Sequence, residues 1–201
     1  MSASQVNAAD VPAERTFFPT SVLKCIGPAV FRSQAMRDAA CLFDVDMAVK
    51  SWTCNADELL LEDGELYTPD FKVQTSAGET FFHDVDDRRD LAAADVLIAA
   101  AAVIGADYSV LEQELFRGSF RLRNAHDLLR YGNYRVPLGD RVLVMRMLDE
   151  HGSLSLHDCL SVFREGRPMA CLASMLFGGF IEIDLDGALI GPDTEVRLIR
   201  A

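Results

Sequence analysis

The stretch from residue 67 to residue 87, YTPDFKVQTSAGETFFHDVDD, constrains the fold of this chain more than any other. Its two runs of β-branched and aromatic residues are separated by Ser-Ala-Gly-Glu, a composition typical of a β-hairpin. Because alternate residues of a strand lie on one face, Asp70 and Lys72 are expected together on the first strand. Asp84 and Asp86 are expected together on the second. The pattern therefore predicts a hairpin on which three carboxylates can converge.

Three neighbouring carboxylates repel one another unless a cation or a proton neutralises them. Asp70, Asp84 and Asp86 are therefore candidate ligands for Mg²⁺ or Mn²⁺. A cation held there polarises a phosphodiester and lowers the pKa of its bound water, which is the chemistry of phosphoryl cleavage. The alternative is a hairpin with a solvated acidic face, in which the charges from 86 to 90 form the entry to the next helix.

The surrounding pattern predicts an α/β or α+β domain, a mixed sheet flanked by helices. Ser33 is placed to cap a helix through QAMRDAACLFDVD. Strands are expected in AVKSWTC, ELLLEDGEL and ADYSVL, and the alanine-rich stretch 88–104 is expected to be a helix that Gly105 ends. Residues 1–16 lack periodicity and predict a loose tail, which leaves 17–136 as the α/β domain.

The pattern changes after Pro137. Three amphipathic helices are predicted, in LGDRVLVMRMLDEHG, SLHDCLSVF and RPMACLASMLFGG, followed by the strands FIEIDLD and EVRLIR. Three helices and a β-hairpin within residues 137–201 is the order of a winged helix. Its third helix is mostly apolar and its wing is acidic, which favours protein docking or self-association over reading of a DNA groove.

Composition excludes several classes of protein. The chain is 50% hydrophobic, so it can bury a substantial core, and no apolar run reaches the length of a membrane span. The first residues lack a basic start followed by an apolar core, so no signal peptide is expected and the location is expected to be cytoplasmic. Five cysteines without a CxxC pair favour reduced thiols over disulfides or a zinc site.

The formal net charge of −12 opposes a surface built throughout for nucleic acid. Residues 117–146 differ, because they contain seven arginines and only two aspartates. A local basic strip of this kind is typical of a confined DNA-facing surface. The alternative is that these arginines pair with acids elsewhere in the fold. The candidate DNA contacts are Arg117, Arg121, Arg123, Arg130 and Arg135.

The order of these features resembles the nuclease domain of TnsA-type transposase endonuclease subunits. The resemblance covers residues 33 to about 130 and rests on SQAMRDA, FDVDMAVKSW, FFHDV, ADYSVL and NAHDLLRY in that order. The family's tyrosine, proline, aspartate and phenylalanine are present as Tyr67, Pro69, Asp70 and Phe71. The resemblance implies a restriction-endonuclease-like fold of the PD-(D/E)xK group with a metal-dependent site.

The site departs from the family pattern, which has a helix glutamate, the aspartate of the PD pair, another acid and a lysine two residues later. Asp70 is retained and Asp84 takes the acid position. Met36 stands at the helix glutamate and Asp86 at the lysine, so the cation thought to orient the attacking water is missing. Lys72 is the candidate replacement, which makes Asp70, Asp84 and Lys72 the candidate catalytic residues.

Three functions follow as hypotheses. The first is a catalytically degenerate nuclease-fold protein that acts as a DNA-associated or protein-bridging accessory of a mobile element or defence system. The second is an active Mg²⁺ or Mn²⁺ endonuclease. The third is an acidic interaction protein that binds neither metal nor DNA.

Overall fold

The structure is a computed structural model that describes residues 22–55 and 57–200. The predicted N-terminal tail, residues 1–16, lies outside the described residues. None of the helices in the described ranges combines the length and the apolar run that a membrane span requires.

A four-stranded mixed sheet forms the centre of the N-terminal part. Its strand order is β1-β4-β5-β6, with β5 and β6 parallel and the other neighbours antiparallel. A separate two-stranded hairpin, β2 with β3, precedes the central strands. The strands are β1 (Val49–Cys54), β2 (Leu59–Leu60), β3 (Leu66–Tyr67), β4 (Phe71–Thr75), β5 (Thr80–Val85) and β6 (Asp107–Leu111).

Helices cover both faces of this sheet, as an α/β or α+β fold requires. Helix α1 (Gln34–Val45) packs its buried Met36 and Ala39 on the face that includes Phe71 and Val73. Helix α2 (Ala94–Val103) packs on the opposite face, against Phe82 and its neighbours. Phe71 and Val73 of β4 belong to the first apolar cluster, and Val85 and Phe82 of β5 belong to the first and the second, in keeping with the two-residue period that the sequence predicts.

Local signals set several boundaries. The Ser33 hydroxyl accepts a hydrogen bond from the Met36 N–H at 3.1 Å, so the predicted cap of α1 is confirmed. Gly105 follows α2 with a φ of 71°, a left-handed conformation that favours glycine. The helix itself begins at Ala94, six residues later than the start of the predicted stretch 88–104.

Two helices lead from the sheet to the C-terminal elements. They are α3 (Gln113–Phe116) and α4 (Phe120–Leu129). The C-terminal elements then follow in the order α5 (Leu138–His151), β7 (Ser153–Ser155), α6 (Leu156–Val162), α7 (Pro168–Phe177), β8 (Ile181–Ile183) and β9 (Glu195–Leu198).

The three C-terminal strands form a small antiparallel sheet of order β7-β9-β8. All three predicted helices and both predicted strands are present, and β7 is an additional strand that the sequence pattern did not predict. The largest apolar cluster joins α4 to α5, α6, α7, β8 and β9, so it continues across residue 136. The C-terminal elements therefore share a core with the last helix of the N-terminal part.

Candidate functional site

Asp70 and Asp84 lie side by side in the interior, as the hairpin predicts. Asp84 belongs to β5, and Asp70 immediately precedes β4. The Asp70 N–H donates to an Asp84 carboxylate oxygen at 2.9 Å, and the Val85 N–H donates to Asp70 at the same distance. Asp70 is 1% exposed and Asp84 is fully buried. Two carboxylates so placed need counter-charges from within the fold.

Arg32 supplies the first counter-charge. Its guanidinium contacts both Asp70 oxygens, with Nε at 2.9 Å and Nη2 at 2.5 Å. Such a bidentate pair is the strongest arrangement available to an arginine and a carboxylate. The same side chain contacts Asp87 at 2.6 Å and donates to the Val85 carbonyl at 3.1 Å. Arg32 therefore bridges Asp70 to the segment that follows β5.

Arg88 supplies the second counter-charge. Its Nη1 lies 2.7 Å from Asp84 and 3.6 Å from Asp70, and it also donates to the Thr68 carbonyl at 2.8 Å. Its Nε pairs with Asp90 at 2.8 Å. Burial acts to lower the pKa of Arg88, but the Asp90 and Asp84 carboxylates outweigh it and hold the pKa above its ordinary value. The charge of Arg88 is therefore permanent.

Two tyrosines complete the surroundings of Asp84. The Tyr67 and Tyr108 hydroxyls donate to the same Asp84 oxygen at 2.9 and 2.8 Å. Burial, and then the adjacent Asp84 carboxylate, raise the pKa of both phenols. With the Asp70 N–H and Arg88 on its other oxygen, Asp84 accepts four hydrogen bonds. We call Asp70, Asp84, Arg32, Arg88, Tyr67 and Tyr108 the arginine–carboxylate cluster.

This cluster does not fit a divalent cation. A metal ligand offers lone pairs to the ion, whereas the oxygens of Asp70 and Asp84 already face two guanidinium groups, two hydroxyls and two backbone N–H groups. No group of three or more histidines, cysteines and acids suitable for a metal ion occurs in the part of the chain that the structure describes. The arrangement favours fixed ion pairs over metal-assisted chemistry.

Asp86 does not join the other two carboxylates. It is exposed, and its side chain accepts a hydrogen bond from the Gln113 N–H at 3.2 Å. The expectation that Asp84 and Asp86 share a face was wrong because β5 ends at Val85, so the alternation of a strand does not extend to residue 86. The predicted convergence of three carboxylates is thus a pair.

Lys72 and Met36 also have defined surroundings. The Lys72 ammonium pairs with Asp57, and it lies 6.0 Å from the Phe82 ring centroid. Its charge is therefore directed to a partner outside the arginine–carboxylate cluster. Met36 is fully buried in the apolar cluster beneath α1, where it packs as a core residue.

The predicted DNA contacts fall into two groups. Arg121 pairs with Asp186 at 2.7 Å, and Arg130 pairs with Asp127 at 3.3 Å. The other three predicted contacts are Arg117, Arg123 and Arg135. All three are exposed, and within residues 22–55 and 57–200 none of them forms an ion pair. The pairing alternative is therefore confirmed for Arg121 and Arg130, and the DNA-facing alternative stays a prediction for the other three.

Two histidines are strongly perturbed: hydrogen bonds to Asp38 and Cys41 raise the pKa of His126 to about 10, and the pKa of His83 is lowered. His83 stacks on the Phe43 and Phe81 rings, and its Nδ1 lies 3.0 Å from the Ser109 hydroxyl. Burial lowers its pKa to about 4, so the imidazole is neutral at physiological pH. All five cysteines are free thiols, and Cys159 and Cys171 are buried, in agreement with the prediction from their spacing.

Sequence reasoning missed both arginines of the cluster. Arg88 lies four residues after Asp84 in DDRRD, which the pattern assigned to the solvated entry of a helix. Arg32 precedes the α1 cap and is 38 residues from Asp70. The one available signal was the charge balance, because two arginines stand among the three acids of residues 86–90.

Comparison of the chain with models of known protein families gives no match, and comparison with curated proteins gives none either.

Proposed function

We propose that the chain is a TnsA-like, restriction-endonuclease-like protein in which fixed arginine charges have replaced the catalytic cation, and that it acts as a non-catalytic accessory. The observation that carries the proposal is the pairing of Arg32 with Asp70 and of Arg88 with Asp84, at 2.5 and 2.7 Å. A guanidinium neutralises the carboxylates as a metal cation would, but it cannot activate water as a metal ion does.

The mixed sheet supports the nuclease-fold half of this proposal. A four-stranded sheet with a helix on each face places the two acids where β4 begins and β5 ends. This is the arrangement expected from the resemblance to the PD-(D/E)xK group. The C-terminal order of one helix, a short strand, two helices and a hairpin is the order expected of a winged helix.

The exposed charged residues of the surface support the accessory role. Arg123 and Arg135 are exposed cations in a chain of net charge −12, which favours weak, local contact with phosphate over a broad DNA interface. The C-terminal elements present acidic residues, which favour protein contact. We therefore propose a protein that bridges DNA and a protein partner in a mobile-element or defence setting.

Cleavage of supercoiled plasmid tests the loss of chemistry. The wild-type protein and Asp70→Ala are compared in Mg²⁺ and then in Mn²⁺. We expect equal, background nicking in both samples. Nicking by the wild-type protein that disappears in Asp70→Ala would overturn the proposal and favour the active endonuclease, with Lys72 as the next residue to change.

A thermal-shift experiment tests the cause. Addition of Mn²⁺ should leave the melting temperature of the wild-type protein unchanged, because the arginines already neutralise the acids. Arg32→Ala with Arg88→Ala leaves Asp70 and Asp84 unpaired, and Mn²⁺ should then raise the melting temperature of that variant. A rise in the wild-type protein would contradict the proposal.

A further inference from the structure

Two adjoining clefts lie over strand β8. One, of about 370 Å³, is bordered by β8, the end of α7 and the turn after α1. The other, of about 410 Å³, lies over β8 and β9. Both clefts are bordered by Glu182, Ile183 and Asp184, and we call the two together the β8 groove. Each cleft is within the range of roughly 300–1,000 Å³ typical of ligand pockets.

Apolar side chains line one part of the β8 groove. Met47 is 50% exposed in the turn after α1 and borders the cleft. Phe177, Ile183 and Ile199 are partly buried and face the same cleft. Covering these atoms would remove apolar area from water.

The charged residues of the groove do not balance. Arg121 pairs with Asp186 at 2.7 Å, and Arg197 pairs with Glu195 at 2.5 Å, so the charges of both arginines are already neutralised. Glu182 is exposed, and no ion pair to it occurs in the described ranges.

Asp184 is the second acidic residue shared by the two clefts. Its carboxylate accepts hydrogen bonds from the N–H groups of Asp186 and Gly187 at 2.8 and 3.2 Å. These bonds hold the carboxylate in place, and no ion pair to it occurs among residues 22–55 and 57–200. The groove is thus lined by apolar side chains together with two acids, of which Asp184 is held in place by backbone N–H groups.

We propose that the β8 groove binds a basic, apolar peptide segment of a partner protein, in which lysine or arginine residues alternate with aliphatic ones. The aliphatic side chains would contact Met47 and Phe177, and the cations would contact Glu182 and Asp184. Complementary charge selects such a segment over others and accelerates its encounter with the groove. This inference deepens the protein-bridging part of the proposed function, on which it rests, by naming the surface and the chemistry of the partner.

The same charges disfavour the other occupants. DNA phosphate would be repelled by Glu182 and Asp184. A second copy that docked through the same surface would bring two acidic grooves into contact. Residues 1–21 of the chain contain one arginine and two acids, so their charge does not complement the groove.

Fluorescence anisotropy tests the proposal with labelled nonapeptides. The probe alternates lysine with isoleucine or leucine; one control replaces lysine with glutamate, and another replaces the aliphatic residues with serine. We expect the wild-type protein to bind the first probe and neither control. Binding should weaken as ionic strength rises, because the attraction is partly screened.

Matched variants separate the groove from general charge attraction. Glu182→Gln should weaken binding about fivefold, whereas Glu62→Gln, an equal charge change at the exposed turn between β2 and β3, should leave binding within about twofold. Met47→Asp should weaken it at least about tenfold. Melting temperatures measured in parallel confirm that each variant is folded.

Absence of peptide binding at low ionic strength would overturn the proposal, and so would equal effects of Glu182→Gln and Glu62→Gln on that binding. A concentration-dependent dimer that Met47→Asp dissociates would also overturn it, because it would assign the groove to a second copy. None of these outcomes bears on plasmid cleavage or on the thermal shift with Mn²⁺, so failure of this inference is distinguishable from failure of the proposed function.

Discussion

Arg88 is the residue whose removal should cost the protein most. Arg88→Met leaves Asp84, which is fully buried, without its cation. An uncompensated charge in the interior costs about 3–5 kcal/mol. Denaturant titration should therefore give a free energy of unfolding lower by about that amount. Arg89→Met, at the exposed neighbouring position, should change it by less than about 0.5 kcal/mol.

A second substitution identifies the cause of that destabilisation. Arg88 also lies 4.7 Å from the Tyr67 ring centroid, so part of its contribution is packing. If the charge dominates, Asp84→Asn should be far less costly in the Arg88→Met background than in the wild-type protein. Additive effects would show that packing, and not the ion pair, stabilises this site.

His83 predicts a pH dependence. Its pKa is about 4 in the folded protein and about 6.5 when unfolded, so between these values only the unfolded state binds the proton. The contribution to stability is complete above pH 6.5 and decreases as the pH falls toward 4. His83→Gln should reduce this decrease by on the order of 2 kcal/mol in denaturant titrations across that window. His157→Gln, at an exposed position, should leave the slope unchanged.

At the scale of elements, Asp140 connects α5 to the turn between α6 and α7. Its buried carboxylate accepts hydrogen bonds from the N–H groups of Arg164, Glu165 and Gly166, the shortest at 2.7 Å. Asp140→Ala leaves these groups without their acceptor, which should cost about 3 kcal/mol. Amide hydrogen exchange at 164–166 should accelerate. Asp149→Ala, on the exposed face of α5, should affect neither measurement.

Elements with local signals were predictable from sequence. Ser33 caps α1 by bonding a backbone N–H three residues later, and β5 follows a turn that its glycine permits. Strand β7 was not predictable, because its three residues pair with β9, which lies beyond two helices and a third strand. The same distinction applies to the site. The hairpin predicts that Asp70 and Asp84 meet, whereas the contact of Arg32 with Asp70 depends on tertiary packing.

At the scale of the whole molecule, a local group of exposed arginines stands within an acidic chain. The chain has a net charge of −12, yet α4 and the segment after it carry exposed cations. Arg123 and Arg130 are seven residues apart, which places them on one side of the helix axis. Three acidic residues, Glu182, Asp184 and Glu195, lie together on the C-terminal sheet around β8. Arg121 of α4 lines the β8 groove and pairs with Asp186, so the two charged regions adjoin at that ion pair.

The exposed arginines and the negative net charge together predict weak duplex binding that depends strongly on salt. Each exposed arginine that contacts a phosphate releases a counterion, so replacing one should make the slope of log K against log[salt] shallower by about 0.9. The combined change of Arg117, Arg123 and Arg135 to Ala should therefore make it shallower by about two to three in anisotropy titrations of duplex DNA. Arg121→Ala should change it less, because Arg121 already pairs with Asp186. Absence of duplex binding at the lowest salt would remove DNA from the proposed function and leave the peptide groove as the interaction surface.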